Sequence, residues 1–128
     1  VEECMVKEVI CLDYNEPVGK YKELAFETHY GGFPVLRHGK LVGVLNKCDL
    51  KDYIKQNEES AVREVVRHLI ISIYPDQSLL VALDRMKRFE IGRLPVVSRF
   101  NDKQLLGIIT PEDIVNFLGI QKEEEDDV

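Results

Sequence analysis

No stretch of this 128-residue chain approaches the roughly 20 consecutive apolar residues that a membrane-spanning helix needs, and no signal-peptide pattern opens it. Cysteine is scarce: Cys4, Cys11 and Cys48 are odd in number and form no Cys-x-x-Cys pair. That excludes a disulfide framework and points to buried, reduced thiols in a cytoplasmic protein. Basic charge is also in short supply, with 17 Lys and Arg against 23 Asp and Glu. Glu123, Glu124, Glu125, Asp126 and Asp127 carry all but one of the formal net charge of −6. The nearly neutral body that is left has no electrostatic footprint for nucleic acid. Phosphate-binding P-loops, Gly-x-Ser-x-Gly and Gly-x-Gly-x-x-Gly are all missing. His29, His38 and His68 share no ligand-like spacing with the cysteines, so neither a metal site nor a catalytic constellation is expected, and the chain is not read as an enzyme. Val1 rather than Met stands first, as in a segment cut from a longer protein.

What is present is an ordinary globular composition, 45% hydrophobic and 31% charged, and an internal repeat. Gly32-Phe33-Pro34-Val35-Leu36 returns 61 residues later as Arg93-Leu94-Pro95-Val96-Val97. Leu41-Val42-Gly43-Val44-Leu45-Asn46-Lys47-Cys48-Asp49-Leu50 returns 64 residues later as Leu105-Leu106-Gly107-Ile108-Ile109-Thr110-Pro111-Glu112-Asp113-Ile114. The difference falls at Ser98 to Gln104, where a longer loop is expected. A fixed period with one loop-sized insertion means one supersecondary unit used twice.

Each copy has the same order of signals. A β-rich run, residues 8–12 or 69–73, leads through a turn into a helical stripe. The stripes are Val18, Tyr21, Leu24, Ala25 and Thr28, then Leu79, Ala82, Leu83 and Met86, the second with Ser78 as N-cap. Two strands follow, Pro34–Leu36 with Leu41–Leu45 and Pro95–Val97 with Leu105–Ile109, and then a helix starting near Asp49 or Pro111. The expected fold class is α/β (α+β): two β-α-β-β-α repeats related by pseudo-two-fold symmetry and sharing one core. The repeats are placed at residues 1–57 and 58–119, with an acidic disordered tail at 120–128. The polar stretch from Lys55 to Glu64 reads as linker.

These paired motifs resemble a tandem pair of cystathionine-β-synthase-type (CBS) domains, a Bateman module, over residues 6–119. The run Gly32-Phe33-Pro34-Val35 and the pattern from Cys11 to Gly19 are similar to the cytosolic module of CLC-type chloride channels and transporters.

The resemblance implies a regulatory module that holds an adenine nucleotide (AMP, ADP or ATP) between its repeats and modulates an attached protein. Thr110 and Asp113 match the family's Thr/Ser-x-x-Asp motif. A carboxylate can accept both hydroxyl protons of a ribose, and a Thr hydroxyl at a helix start can donate to a phosphate. Thr110-Pro111-Glu112-Asp113 is equally a good helix start. Val9, Tyr30, Gly31, Phe33 and Pro34 complete the implied site, with Tyr30 either stacking on the base or closing a helix against the sheet. A second, weaker site would use Asn46, Asp49, Ile70, Ile91, Gly92 and Arg93. Asn46 stands where Thr or Ser is usual and is itself a helix cap, whereas Arg93 suits a phosphate. S-adenosylmethionine is an alternative ligand. The resemblance further implies a homodimer built on apolar helix faces and a parent membrane protein or enzyme, with no direct membrane insertion. A ligand-free dimerisation module is the alternative function.

Overall fold

Two β-hairpins carry the fold, and each is specified by alternating apolar residues that bury one face of a strand pair. In this computed structural model, which describes residues 1–27, 31–68 and 70–126, the first hairpin joins β2 (Gly32–Arg37) to β3 (Lys40–Asn46). Pairing is antiparallel, with Phe33 opposite Leu45, Val35 opposite Gly43 and a register shift between Val35 and Leu36. The turn turns on His38 and Gly39, both at positive φ (51° and 76°). A short β1 (Leu12–Asp13) adds in parallel to β2. The second hairpin joins β4 (Leu94–Ser98) to β5 (Asn101–Ile109).

The long loop expected at Ser98 to Gln104 is instead mostly strand. Ser98 pairs with Asn101, and register shifts at Val96/Val97 and Val97/Ser98 absorb the extra residues. Side chains fold the tip over: the Phe100 N–H donates to Ser98 Oγ (3.1 Å) and the Lys103 N–H to Asn101 Oδ1 (3.0 Å).

Helix α1 (Lys22–Glu27) follows a 3-10 turn at Val18–Tyr21, and α2 (Lys47–Gln56) follows β3. Helix α3 (Leu79–Arg88) starts at its Ser78 cap, whose Oγ accepts the Val81 N–H at 3.3 Å. Helix α4 (Pro111–Asp126) runs through the segment assigned to a disordered tail, whose backbone is helical as far as Asp126. The helical stripes are recovered with two exceptions: Leu83 is exposed, and Thr28 lies outside the described residues.

The chain divides into two compact units, a first made of Ile10–Ile70 and a second made of Val1–Val9 with the chain from Ile71 onward. Each unit has its own cluster of buried side chains. Leu12, Val18, Phe33, Val35, Leu45, Leu50 and Val62 dominate the first unit's cluster; Ile73, Met86, Leu94, Val96, Ile109 and Ile114 dominate the second's. Burying each such side chain contributes about 1.5–3 kcal/mol.

The entry runs are not continuous strands, because each serves both units. Val6 bridges to Ile108 in the second unit, whereas Leu12 and Asp13 pair with Val35 and Leu36 in the first. In the same way Arg67 bridges to Val44 and Ile73 to Val96. The expected linker is also structured. Val18 N–H donates to Ser60 O, Gly19 N–H to Glu58 O and Val62 N–H to Glu16 O, and Val62 is fully buried.

Candidate functional site

Helix α4 begins where β5 ends, and its first turn is closed by a reciprocal cap. Thr110 donates to Asp113 Oδ2 from both its backbone N–H (3.0 Å) and its hydroxyl (2.9 Å), while the Asp113 N–H donates back to Thr110 Oγ1 (3.2 Å). This capping box satisfies orphan donors of the helix N-terminus and places a carboxylate in the positive end of the helix dipole. The Thr110 hydroxyl proton is thereby donated to Asp113 Oδ2. Asp113 is half-buried, and both hydrogen bonds reach Oδ2; Oδ1 takes none from the described residues. An oxygen fixed in place with free lone pairs is an acceptor for a ligand hydroxyl.

The N-terminal segment buttresses this turn. Val6 and Ile108 exchange both backbone hydrogen bonds (2.8 and 2.9 Å), and Cys4 Sγ donates to the Asp113 carbonyl oxygen at 3.2 Å. Burial, then the Asp113 charge, push the Cys4 thiol above its usual pKa, with the amino terminus pulling the other way. Neither Cys4 nor Cys11 is fully buried, and Cys48 is exposed, so the expectation of three buried thiols is corrected. Val9 is half-buried at the end of the same segment.

Elsewhere in the second unit, Ile91 and Arg93 flank the exposed Gly92 between α3 and β4. The Ile91 N–H donates to Met86 O and its side chain packs on the core cluster. An added Cβ at Gly92 would meet nothing within 4 Å, so this glycine answers no steric demand of the chain. Burial pulls the Arg93 guanidinium below its ordinary pKa, and the described residues give it no ion pair or hydrogen bond. A half-desolvated cation of this kind is electrostatically prepared for an anion.

In the first unit the equivalent helix start is α2. Asn46 is its N-cap, with Oδ1 accepting the Asp49 N–H at 2.7 Å, as expected of an Asn there. Asp49 Oδ2 is held by Arg67 Nη2 at 3.3 Å. Arg67 was not among the residues singled out from sequence, because an ion pair across 18 residues leaves no local spacing signal. Ile70 is half-buried. Gly31 is exposed and its carbonyl accepts the Lys47 N–H at 2.9 Å. Tyr30 lies outside the described residues. Phe33 and Pro34 are buried in the hairpin, Phe33 at 1% exposure within the core cluster.

Also absent from the sequence expectations are two guanidinium–tyrosine stacks, Arg37 over Tyr14 at 5.3 Å and Arg99 over Tyr74 at 4.3 Å. Among the described residues no group of His, Cys, Asp and Glu is arranged to hold a metal ion, and no helix is long and apolar enough to cross a membrane.

Comparison with known proteins bears on the repeated unit. A family model described as "CBS domain" matches residues 1–56 and 62–120. An uncharacterized protein of Methanocaldococcus jannaschii is 33% identical over 114 residues, 89% of this chain and 38% of its own length. The chain spans between 23 and 38% of the length of the first three curated relatives it matches. Among solved structures, the CBS domain pair of protein MJ0100 in complex with 5′-methylthioadenosine and S-adenosyl-L-methionine superposes with a TM-score of 0.79 at 24% identity, covering 94% of this chain and 96% of that one. CBSX2 in complex with AMP superposes with a TM-score of 0.80 at 23% identity, covering 95% and 97%. This chain shares its mixed fold of two β-α-β-β-α repeats with these two solved structures.

Proposed function

The chain belongs to the CBS-domain family, and from that premise we propose that it is a non-catalytic regulatory module binding an adenosine-containing ligand, an adenine nucleotide first among them. The observation that carries this reading is the Asp113 carboxylate, pinned through Oδ2 by Thr110 while Oδ1 is left to accept. A ribose diol needs such an acceptor, and a charge-assisted hydrogen bond there is about twice as strong as a neutral one. Thr110 is a positioning residue for that carboxylate. Arg93, which suits a phosphate, and the Val9 backbone, which suits the base, lie in the same unit as Asp113. The bound ligands named for MJ0100 and CBSX2 support the adenosyl class.

The module acts on an attached protein by shifting a conformational equilibrium, by no more than the ligand's differential affinity for the two states. A parent enzyme accords with curated relatives such as an L-aspartate semialdehyde sulfurtransferase and an inosine-5′-monophosphate dehydrogenase, of which the chain covers about a quarter. A chloride channel or transporter as parent is the second reading, and it rests on the text from Cys11 to Gly19 and Gly32 to Val35 alone. Self-association into a homodimer is favoured by the apolar side chains that α3 and α4 leave exposed: Leu80, Leu83, Val115 and Leu118.

Calorimetric titration with AMP, ADP, ATP and S-adenosylmethionine, on the chain and on Asp113→Ala, tests the reading. Saturable binding lost in the variant supports it. No heat with any of the four on folded protein overturns it in favour of a ligand-free structural module.

A further inference from the structure

The two repeats present the same carboxylate in two electrostatic states. Asp113 receives its hydrogen bonds from neutral donors, the N–H and O–H of Thr110. Asp49 is held by the Arg67 guanidinium. The position that answers to Arg67 in the second unit is Val6: Arg67 exchanges both backbone hydrogen bonds with Val44, as Val6 does with Ile108. Strand pairing thus brings a cation to one helix start and an aliphatic side chain to the other.

We propose that Arg67 makes the Asp49 half-site selective for phosphorylated adenosine ligands, holding the carboxylate while the site is empty and turning to the phosphate when one binds. The inference rests on the adenosyl-ligand reading above. The Arg67 backbone is fixed by Val44, but its side chain is 70% exposed against 29% for Asp49. An ion pair this open is weak, so it can be exchanged for another partner at little cost. Asn46 engages only the Asp49 N–H, so Arg67 is the competitor for the carboxylate oxygens. A neutral nucleoside must displace the guanidinium and leaves it without a counter-ion. A nucleoside monophosphate takes the carboxylate with its ribose and returns a planar, bidentate anion to the guanidinium. A cationic adenosyl ligand is repelled. At the Asp113 half-site the corresponding position is Val6, so no guanidinium has to be displaced from the carboxylate.

The test isolates the Asp49 half-site in an Asp113→Ala background and titrates AMP and adenosine by calorimetry, with circular dichroism to confirm folding. AMP is expected to bind at least about tenfold tighter than adenosine. Adding Arg67→Ala, a surface substitution, brings AMP down to the level of adenosine and leaves adenosine unchanged or tighter; Arg67→Lys restores part of the preference. An AMP-to-adenosine ratio that survives Arg67→Ala overturns the proposal. So does complete loss of AMP binding in Asp113→Ala when the unsubstituted chain binds, an outcome that leaves the Asp113 reading standing. No binding to the unsubstituted folded chain overturns both.

Discussion

The carbonyl of Val6 lies 2.7 Å from where a Cβ on Gly107 would stand. The Arg67 carbonyl lies 2.5 Å from the corresponding position on Gly43, 64 residues earlier in the repeat. A glycine in each second hairpin strand is therefore required so that an entry segment can press its backbone onto the strand, and no real Cβ fits at those distances.

Gly43→Ala and Gly107→Ala are accordingly expected to destabilise their units by about 1–3 kcal/mol each, because backbone rather than a flexible side chain must yield. Gly92→Ala is the control. Nothing lies within 4 Å of its added Cβ and its φ is not positive, so the variant should be neutral or stabilised by about 0.4–1 kcal/mol. Urea denaturation midpoints decide it; equal loss at all three glycines refutes the close-approach account.

The repeated glycine was legible as text, since Leu-x-Gly followed by two apolar residues occurs twice, and so were both hairpins and the start of α4. Its cause was not, because the atoms it makes room for belong to segments distant in sequence. The same physics hid where the entry runs pair. Residues 8–12 and 69–73 have strand-like composition, but their neighbours on either side pair in different units, which breaks each run into bridges. The burial of Phe33 was not legible either, because sequence does not say which face of a strand is inward.

Phe33 can be assigned to the core or to the site by substitution. As a fully buried core side chain, Phe33→Ala should cost about 3–5 kcal/mol. Phe33→Leu, which nearly conserves volume, should cost less than about 1.5 kcal/mol and leave nucleotide affinity unchanged. A Phe33→Leu protein that is stable yet fails to bind in calorimetry would return Phe33 to the site.

Thr110 couples stability to binding through one cap. Thr110→Val removes the hydroxyl that both donates to and accepts from Asp113, and should cost about 1 kcal/mol while weakening nucleotide binding. Thr110→Ser keeps both hydrogen bonds and should restore both properties. Stability lost with affinity intact would mean that the cap is structural only.

Asp76 gives the chain an acid-sensitive contact. Arg99 donates to it from Nε and Nη2 (2.9–3.1 Å), and those hydrogen bonds hold the Asp76 carboxyl below its ordinary pKa. A carboxylate depressed in the folded state contributes stability above its unfolded pKa and loses it as pH falls through the folded value. The pair therefore helps at neutral pH and stops helping below the usual carboxylate range. Asp76→Asn should melt lower than the unsubstituted chain at pH 7, with the two melting temperatures converging as pH is lowered. A gap that is constant from pH 7 to strongly acid conditions would show that the carboxylate charge is not what the contact uses.

The cysteines should be chemically unequal. Burial raises the thiols of Cys4 and Cys11, which lowers their thiolate fraction at neutral pH, while Cys48 is exposed at the start of α2. The thiolate is the nucleophile, so alkylation followed by mass spectrometry should label Cys48 first and Cys4 and Cys11 much later. Cys4 carries the more informative outcome, since its Sγ–H is spent on the Asp113 carbonyl oxygen. A nucleotide that takes hold of Asp113 stiffens that turn and should slow Cys4 labelling further, without changing the rate at Cys48. Faster labelling of Cys4 on nucleotide addition would mean that the ligand pulls α4 away from the N-terminal segment, and the buttress assigned to that segment would be wrong.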